Sequence, residues 1–520
     1  MKKLLTITLL TSALYFTSCD LYNDHHPPSQ KLTQFIQIGS IDLTGGETAA
    51  EISAYDPTTK RLFVVNATKS AIDIVNMADP FNLVPDGEIS IVPYGAGVNS
   101  VAVKNGLLAA AIEASPKTSP GKVVVWNTSD LSEVAQITVG ALPDMVDFSN
   151  DGRFIVSANE GEPNEDYTVD PNGSISIIRI PGFSVTTLDF TSFNIQAASL
   201  LSQGFRMPGP TGTTLAQDTE PEYVAISHDN RTAWVTLQEN NAVAKIDLHS
   251  RKIDKIMMLG YKDHSIGGNE LDPSDENASA LFGTWPVKGM YLPDGISAYT
   301  ALGIPLFITA NEGDSRLRPT SDDALPPLEE GDLFNEESRV KDVDLDPGAF
   351  PNAATLDDDE MLGRLKITNT LGDIDHDGDY DELYSFGARS FTIRNGHTGK
   401  IVYESGSQLE KFLLQEEPGL YDDGREDDKG VEPEAVTIGK IGPRSIAFVG
   451  LERADAVVIV DVTNPFSPLY IDVLETGDAP EGVLFIPAHE SPIHKPLLVT
   501  SCEGDGTVQV FTLSGEEDLF

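Results

Sequence analysis

Two cysteines, nine histidines and 35 lysines and arginines are all that these 520 residues hold of those types, against 81 aspartates and glutamates. Each shortage removes a class of protein. With only Cys19 and Cys502 there is no disulfide framework, and if Cys19 becomes a lipidated N-terminus, Cys502 has no partner. The histidines form no zinc-spaced cluster, and no G-x-S-x-G elbow for a nucleophilic serine occurs. A net charge of −46 argues against nucleic acid and anionic headgroups, which would repel the chain over a Debye length of roughly 8 Å. Cations are the natural counter-ligands. Beyond the first eighteen residues, no segment approaches the ~20 apolar residues that a spanning helix needs.

The start of the chain has the layout of an export leader: Lys2 and Lys3, an apolar run from Leu4 to Phe16, then Thr17 and Ser18 before Cys19. Phe16-Thr17-Ser18-Cys19 is similar to a lipobox with Phe in place of Leu. Residues 1–18 are therefore expected to be a lipoprotein signal peptide, with Cys19 the lipidation site; the alternative is an ordinary cleaved leader with an incidental cysteine. Residues 19–34, with paired His and paired Pro, read as a flexible tether. The expected location is the cell envelope, at the outer membrane or cell surface, with lipid as the membrane contact.

Hydrophobic residues make up 40% of the chain and recur in short β-rich runs, enough for a folded core despite the charge. One unit repeats seven times: a strand opening after an acid or Pro-acid pair, a short turn, and a β-branched strand usually ending in Glu. Pro143-Asp144 leads to Ala158-Asn159-Glu160, and Pro221-Glu222 leads to Leu237-Gln238-Glu239. Pro293-Asp294-Gly295 leads to Ala310-Asn311-Glu312, Pro433-Glu434 to Leu451-Glu452, and Pro480-Glu481 to Cys502-Glu503. Two copies are degenerate, Asn99 to Glu113 and Glu51 to Asn66. Third strands are expected at Ala71–Asn76, Lys122–Asn127, Ser174–Ile180, Ala242–Leu248, Ala456–Val462 and Thr507–Leu513, with the fifth copy interrupted; fourth strands are harder to place. Such units match propeller blades, so residues 35–520 are expected to form one all-β, seven-bladed β-propeller of the YVTN/WD40-like kind. Insertions at 161–170, 189–219, 261–281 and, longest, 313–430 should decorate one face.

Antiparallel strands place the start of one strand and the end of its partner at the same edge. The opening acids Glu51, Asp144, Glu222, Asp294, Glu434 and Glu481 should therefore share a rim with the closing acids Glu113, Glu160, Glu239, Glu312, Glu452 and Glu503. Carboxylates ~5 Å apart repel by about 3 kcal/mol at an effective dielectric near 20, so something must compensate them. Two readings stand: a divalent-cation site, with Ca²⁺ favoured by oxygen ligands, or stitching of blades through bonds to neighbouring backbone amides. A more specific calcium pattern is D-x-D-x-D-G-x-x-D at Asp373, Asp375, Asp377, Gly378 and Asp381. There alternating Asp converge, Gly378 permits a sharp turn and Asp379 offers its carbonyl. Tyr384 stands where an EF-hand has its closing Glu, so a propeller-type calcium loop fits better.

P-D-M-V-D-F-S-N-D-G-R and A-N-E-G-E-P-N-E-D-Y within Pro143 to Ile180, W-P-V-K-G-M-Y at Trp285 to Tyr291, A-N-E-G-D-S-R at Ala310 to Arg316, F-G-A-R-S-F at Phe386 to Phe391 and D-D-K-G at Asp427 to Gly430 carry a resemblance. The chain resembles the choice-of-anchor I proteins, bacterial relatives of mesenchyme-specific cell surface glycoproteins. The resemblance implies a surface propeller with a variable anchor, here lipid. It implies no established reaction, although some bacterial members carry an alkaline-phosphatase label.

Two functions follow as expectations. The first is a noncatalytic, calcium-loaded envelope propeller that binds a ligand or surface partner at its acidic face. The second is a calcium-dependent phosphoesterase in which Arg316, Arg389, Arg425, Lys262 and Lys288 orient phosphate beside clustered metal. Each cation also has the plainer reading of a salt-bridge partner. His264, between Asp263 and Ser265, is expected to order its loop rather than to act as a base.

Overall fold

The computed structural model describes residues 34–277, 280–318 and 334–514, so the expected leader, Cys19 and the tether through residue 33 lie outside the described residues. Among the described residues, no helix is long and apolar enough to cross a membrane.

The strands arise from short β-branched runs with almost no polar interruption. Arg61–Asn66, Phe154–Asn159, Thr232–Leu237 and Leu497–Cys502 are buried along nearly their whole length. An apolar run without alternation suits a strand only if both faces are covered, and here the neighbouring sheets cover them. Phe63, Val65, Ile72 and Ile74 of one sheet, for example, pack on Val101, Leu108, Ala110 and Val124 of the next.

Seven four-stranded antiparallel sheets follow one another among the described residues. Six keep sequence order. They run from Ser53–Asp56 through Val84–Ser90, from Val98–Lys104 through Glu133–Ala141, from Pro143–Phe148 through Ser184–Asp189 and from Pro221–Ile226 through Lys252–Met258. The fifth comprises Ile296–Ala301, Ile304–Asn311, Ser390–Asn395 and Ile401–Glu404, and the sixth runs from Pro433–Ile441 through Leu469–Glu475. In the seventh, Pro480–Ile486, Leu497–Cys502 and Thr507–Leu513 take Phe35–Asp42, from the other end of the chain, as their outer strand. The first strands of successive sheets lie against each other, and Pro480–Ile486 returns to Ser53–Asp56. The fold is a β-propeller.

The expected third strands coincide with the structure at Ala71–Asn76 and Thr507–Leu513 and differ elsewhere by one or two residues at one end. The insertion expected as one block at 313–430 is divided, because Ser390–Asn395 and Ile401–Glu404 inside it complete the fifth sheet. Its first part joins the insertion after the fourth sheet in a five-stranded accessory sheet of Tyr261–Asp263, Lys288–Met290, Tyr384–Ser385, Lys366–Thr368 and Glu337–Arg339. Leu271, Val287, Val340, Phe350, Leu362 and Ile367 give it a core of its own.

Candidate functional site

The Pro-acid pairs do a specific job at the head of four of the first strands. Proline cannot donate to the ladder and is tolerated at a strand's first residue or at a bulge, and here it is both. The register shifts between Pro143 and Val146, Pro221 and Val224, Pro433 and Val436, and Pro480 and Gly482. Asp144, Glu222, Glu434 and Glu481 sit within those bulges, and a bulge re-aims its side chains. The residues before Pro143, Pro293, Pro433 and Pro480, namely Leu142, Leu292, Glu432 and Ala479, have φ of 46°, 39°, 46° and 53°, a left-handed turn that non-glycine residues rarely adopt. In three of these turns the carbonyl accepts the N–H of the closing acid: Leu142 from Glu160, Glu432 from Glu452 and Ala479 from Glu503. Opening and closing acids are thus brought together by backbone.

The result is a cavity of 320 Å³ among the first strands. Of the twelve expected acids, Asp144, Glu222, Asp294, Glu434 and Glu481 line it from strand starts and Glu160, Glu312 and Glu452 from strand ends, with Asp314 added. Glu51, Glu113, Glu239 and Glu503 are not among its lining residues. At the fourth sheet Gln238 takes the place expected of Glu239 and donates to Glu312 Oε2 at 2.8 Å, while Glu239 turns to Arg316 at 3.7 Å. The cations lining the cavity are Lys429 and Arg453, neither singled out from sequence. Lys429 Nζ lies 2.7 Å from Glu312, 3.2 Å from Glu432 and 3.5 Å from Asp314; Arg453 pairs with Glu452 at 2.9 Å.

Two cations against nine carboxylates leave a large uncompensated charge. Enclosure by protein, then repulsion from Glu162, pushes Asp144 up to about 7. Enclosure, then Glu503 and Asp144, pushes Glu51 up to about 8. Glu222, Asp294, Glu434 and Glu481 are held well above the carboxylate range, by enclosure first and then by repulsion from other acids, foremost Glu239 for Glu222, Glu312 for Asp294, Glu452 for Glu434 and Glu51 for Glu481. Glu432 behaves oppositely: burial raises it, but Lys429, Arg425 and Arg453 together hold it near 2.

The second acidic site is the Asp373 loop. Oxygens of Asp373, Asp375 and Asp381 lie within 4.8 Å of one another, and so do those of Asp346, Asp379 and Asp381. Backbone N–H groups arrange them: Ile374 donates to Asp381 at 2.9 Å, and Asp377 and Gly378 donate to the two Asp373 oxygens, each at 3.2 Å. Gly378 has φ 103°, which explains the glycine. Asp377 belongs to neither trio, and its Oδ1 accepts the Asp379 N–H at 3.3 Å. Asp379 brings its carboxylate, not only the carbonyl expected of it. Repulsion from Asp377, foremost, raises Asp375, and Asp379 is pushed up to about 6 by partial enclosure and by Asp377 and Asp346. Asp346 was missed from sequence. A Leu345–Tyr380 bridge carries it in, and its signal was the alternation of Asp342, Asp344 and Asp346.

The remaining candidates serve the scaffold. Arg316 is 2% exposed and faces Glu220 at 2.8 Å, Asp218 at 3.4 Å and Glu239. Arg389 donates to the carbonyls of Asp272, Glu426 and Asp428, and Arg425 pairs with Glu432 and Asp428. None of these three arginines lines the cavity, which corrects their expected role as phosphate contacts there. Lys262 donates to the carbonyls of Ala388 and Gly406, and Lys288 pairs with Glu382 at 2.6 Å. His264 is buried with Nδ1 2.7 Å from the Asn269 carbonyl, while the Ser265 hydroxyl donates to Asp263, so the two form no catalytic pair. Cys502 is fully buried at a strand end.

The family model described as Choice-of-anchor I domain matches residues 51–465. Gigasin-3a of Magallana gigas is 30% identical over 193 residues, covering 31% of this chain and 68% of that protein. The mesenchyme-specific cell surface glycoprotein of Strongylocentrotus purpuratus is 24% identical over 315 residues, 54% of this chain, which spans only 39% of that relative's length. Among solved structures, Kuenenia stuttgartiensis hydrazine synthase is similar at a TM-score of 0.49 and 14% identity, over 92% of this chain and 99% of that one. The β-propeller domain of Myceliophteria thermophila Cps50 (Swd1) is similar at 0.44 and 8%, over 92% and 100%.

Proposed function

The chain belongs to the choice-of-anchor I family, and from that premise we propose that it is a noncatalytic, calcium-binding β-propeller of the cell surface or envelope. Its seven sheets are read as seven blades, its lipid anchor as Cys19, and its insertions as the part that meets a ligand or surface partner. The name of the sea-urchin relative supports the surface location. The observation that carries calcium binding is the Asp373 loop, where two carboxylate trios share Asp381. Their spacing suits one ion with oxygen ligands at 2.3–2.6 Å, and the loop backbone already holds the oxygens in place. The phosphoesterase reading has no observation in its favour, since its arginines are engaged with the protein's own oxygens.

The test is calorimetry of chelator-treated protein titrated with Ca²⁺. Asp373→Asn with Asp381→Asn is expected to remove one bound ion and to speed protease cutting between residues 313 and 389. Unchanged stoichiometry refutes the loop site, and release of phosphate from phosphomonoesters or phytate by the Ca²⁺-loaded protein refutes the noncatalytic reading. Cys19→Ala should move the protein to the soluble fraction; retention at the membrane refutes the lipid anchor.

A further inference from the structure

We infer that the central channel holds a second hard divalent cation, between Asp294, Glu312 and Glu434, and that Lys429 is a built-in competitor for that place. One oxygen from each of the three acids lies within 4.8 Å of the others, the spacing that ligands take around a single ion with Ca–O distances near ~2.4 Å. A cluster of acids alone would not carry this, since surface acids gather without ions. The independent sign is Glu222, which lines the same cavity, is 8% exposed, and whose Oε2 has no hydrogen-bond partner among the described residues. Glu434 Oε2 and Glu481 Oε2 are likewise sealed and unpartnered. A buried carboxylate oxygen without a donor is costly unless a charge compensates it.

The other explanation of these acids, stitching sheet to sheet, is met mostly by other groups. Gly295 N–H donates to the Glu434 carbonyl at 2.9 Å, and Asn99 donates its amide to the Pro143 carbonyl at 3.1 Å. Of these inter-sheet bonds, the one from Gln238 to Glu312 uses a ring carboxylate. The cavity volume of 320 Å³ admits an ion with several waters. Lys429 comes from the segment between the fifth and sixth sheets, and its ammonium sits 2.7 Å from Glu312, one of the three ligands. It neutralises part of the ring and obstructs the ion that the rest of the ring calls for.

This site is separate from the Asp373 loop, and the experiment keeps the two apart. Full-length, chelator-treated protein is titrated with Ca²⁺ by calorimetry and with Tb³⁺ by tyrosine-sensitised luminescence. The Asp373→Asn, Asp381→Asn variant is expected to keep one ion. In that background Tyr223→Phe, which removes the phenol lining the cavity, should dim Tb³⁺ emission without changing the Ca²⁺ stoichiometry. Asp294→Asn with Glu434→Gln should remove the ion, and Lys429→Met should tighten Ca²⁺ on the order of tenfold by removing a nearby like charge. No ion bound in the loop variant, an ion retained after Asp294→Asn with Glu434→Gln, or no tightening from Lys429→Met overturns the inference. A failure of the loop reading looks different: the loop variant loses nothing, while the channel variant still loses one ion.

Discussion

Replacing Arg316 with methionine decides whether that arginine belongs to the scaffold or to a ligand. Its guanidinium is 2% exposed and faces Glu220 at 2.8 Å, Asp218 at 3.4 Å and Glu239 at 3.7 Å, all three at most 9% exposed at the side chain. At ~3 Å and an effective dielectric near 20, one such pair is a gross attraction of about 5 kcal/mol. After desolvation, breaking a buried pair costs about 3–5 kcal/mol, because the partner charge is left uncompensated. That is a large part of a typical stability of about 5–15 kcal/mol. The loss also has a pH signature. Asp218 is already pushed up to about 6 by burial, with Arg316 restraining it, so the variant should raise it further. A carboxyl that titrates higher folded than unfolded (~3.9) binds more protons in the native state. Its stability contribution therefore falls as pH climbs from ~4 through the folded value, and the variant's deficit should be smaller at pH 5 than at pH 8. Urea unfolding followed by circular dichroism at both pH values measures it. A deficit below ~1 kcal/mol at pH 8, or one equal at pH 5 and pH 8, refutes the structural assignment.

Phe448 ties the ring closure together, stacked on Phe485 at 5.6 Å and edge-on to Phe35 of the N-terminal strand at 5.4 Å. Phe448→Ala should lose about 3–5 kcal/mol, and an unmoved urea midpoint would show that this contact does not support the closure. The Cys502 thiol is pushed up to about 11 by burial and is fully enclosed. In Cys19→Ala protein at pH 8, a thiol-reactive disulfide reagent should therefore modify nothing until guanidinium unfolds the chain; rapid modification of native protein would contradict the packing.

What could be read in advance follows burial. Second and third strands such as Leu107–Ile112 and Ala456–Asp461 are covered on both faces and so stand out as apolar runs. Fourth strands face solvent. Ser184–Asp189 and Val84–Ser90 are mostly exposed and carry no apolar rhythm, so nothing local marks them. Long-range pairing leaves no trace either: Phe35–Asp42 finds Thr507–Leu513, and Asn311 finds Ser390 across a whole insertion. The same holds at the sites. Carboxylates at strand starts were legible because the Pro-acid pair repeats. Lys429 and Asp346 were not, because loops outside the repeat deliver them, and Arg453 was not, because no other copy of the repeat carries a cation after its closing acid.

The repeat also bears on why the acids recur at all. Had they existed to join the sheets, their oxygens would be taken up by neighbouring amides. Instead the strained turns at Leu142, Glu432 and Ala479 join opening and closing residues through main-chain carbonyls, and Gly295 reaches the next sheet through its own N–H. The backbone holds the ring together and leaves the Oε2 atoms of Glu222, Glu434 and Glu481 without a partner among the described residues. A carboxylate that the scaffold neither pairs nor exposes is a net cost to folding. The fourth sheet supports this view, because Gln238 replaces an acid at the channel there while its register shift at Pro221 remains intact. The register shift therefore survives without a closing carboxylate, and the charge of the remaining acids is explained by what it attracts.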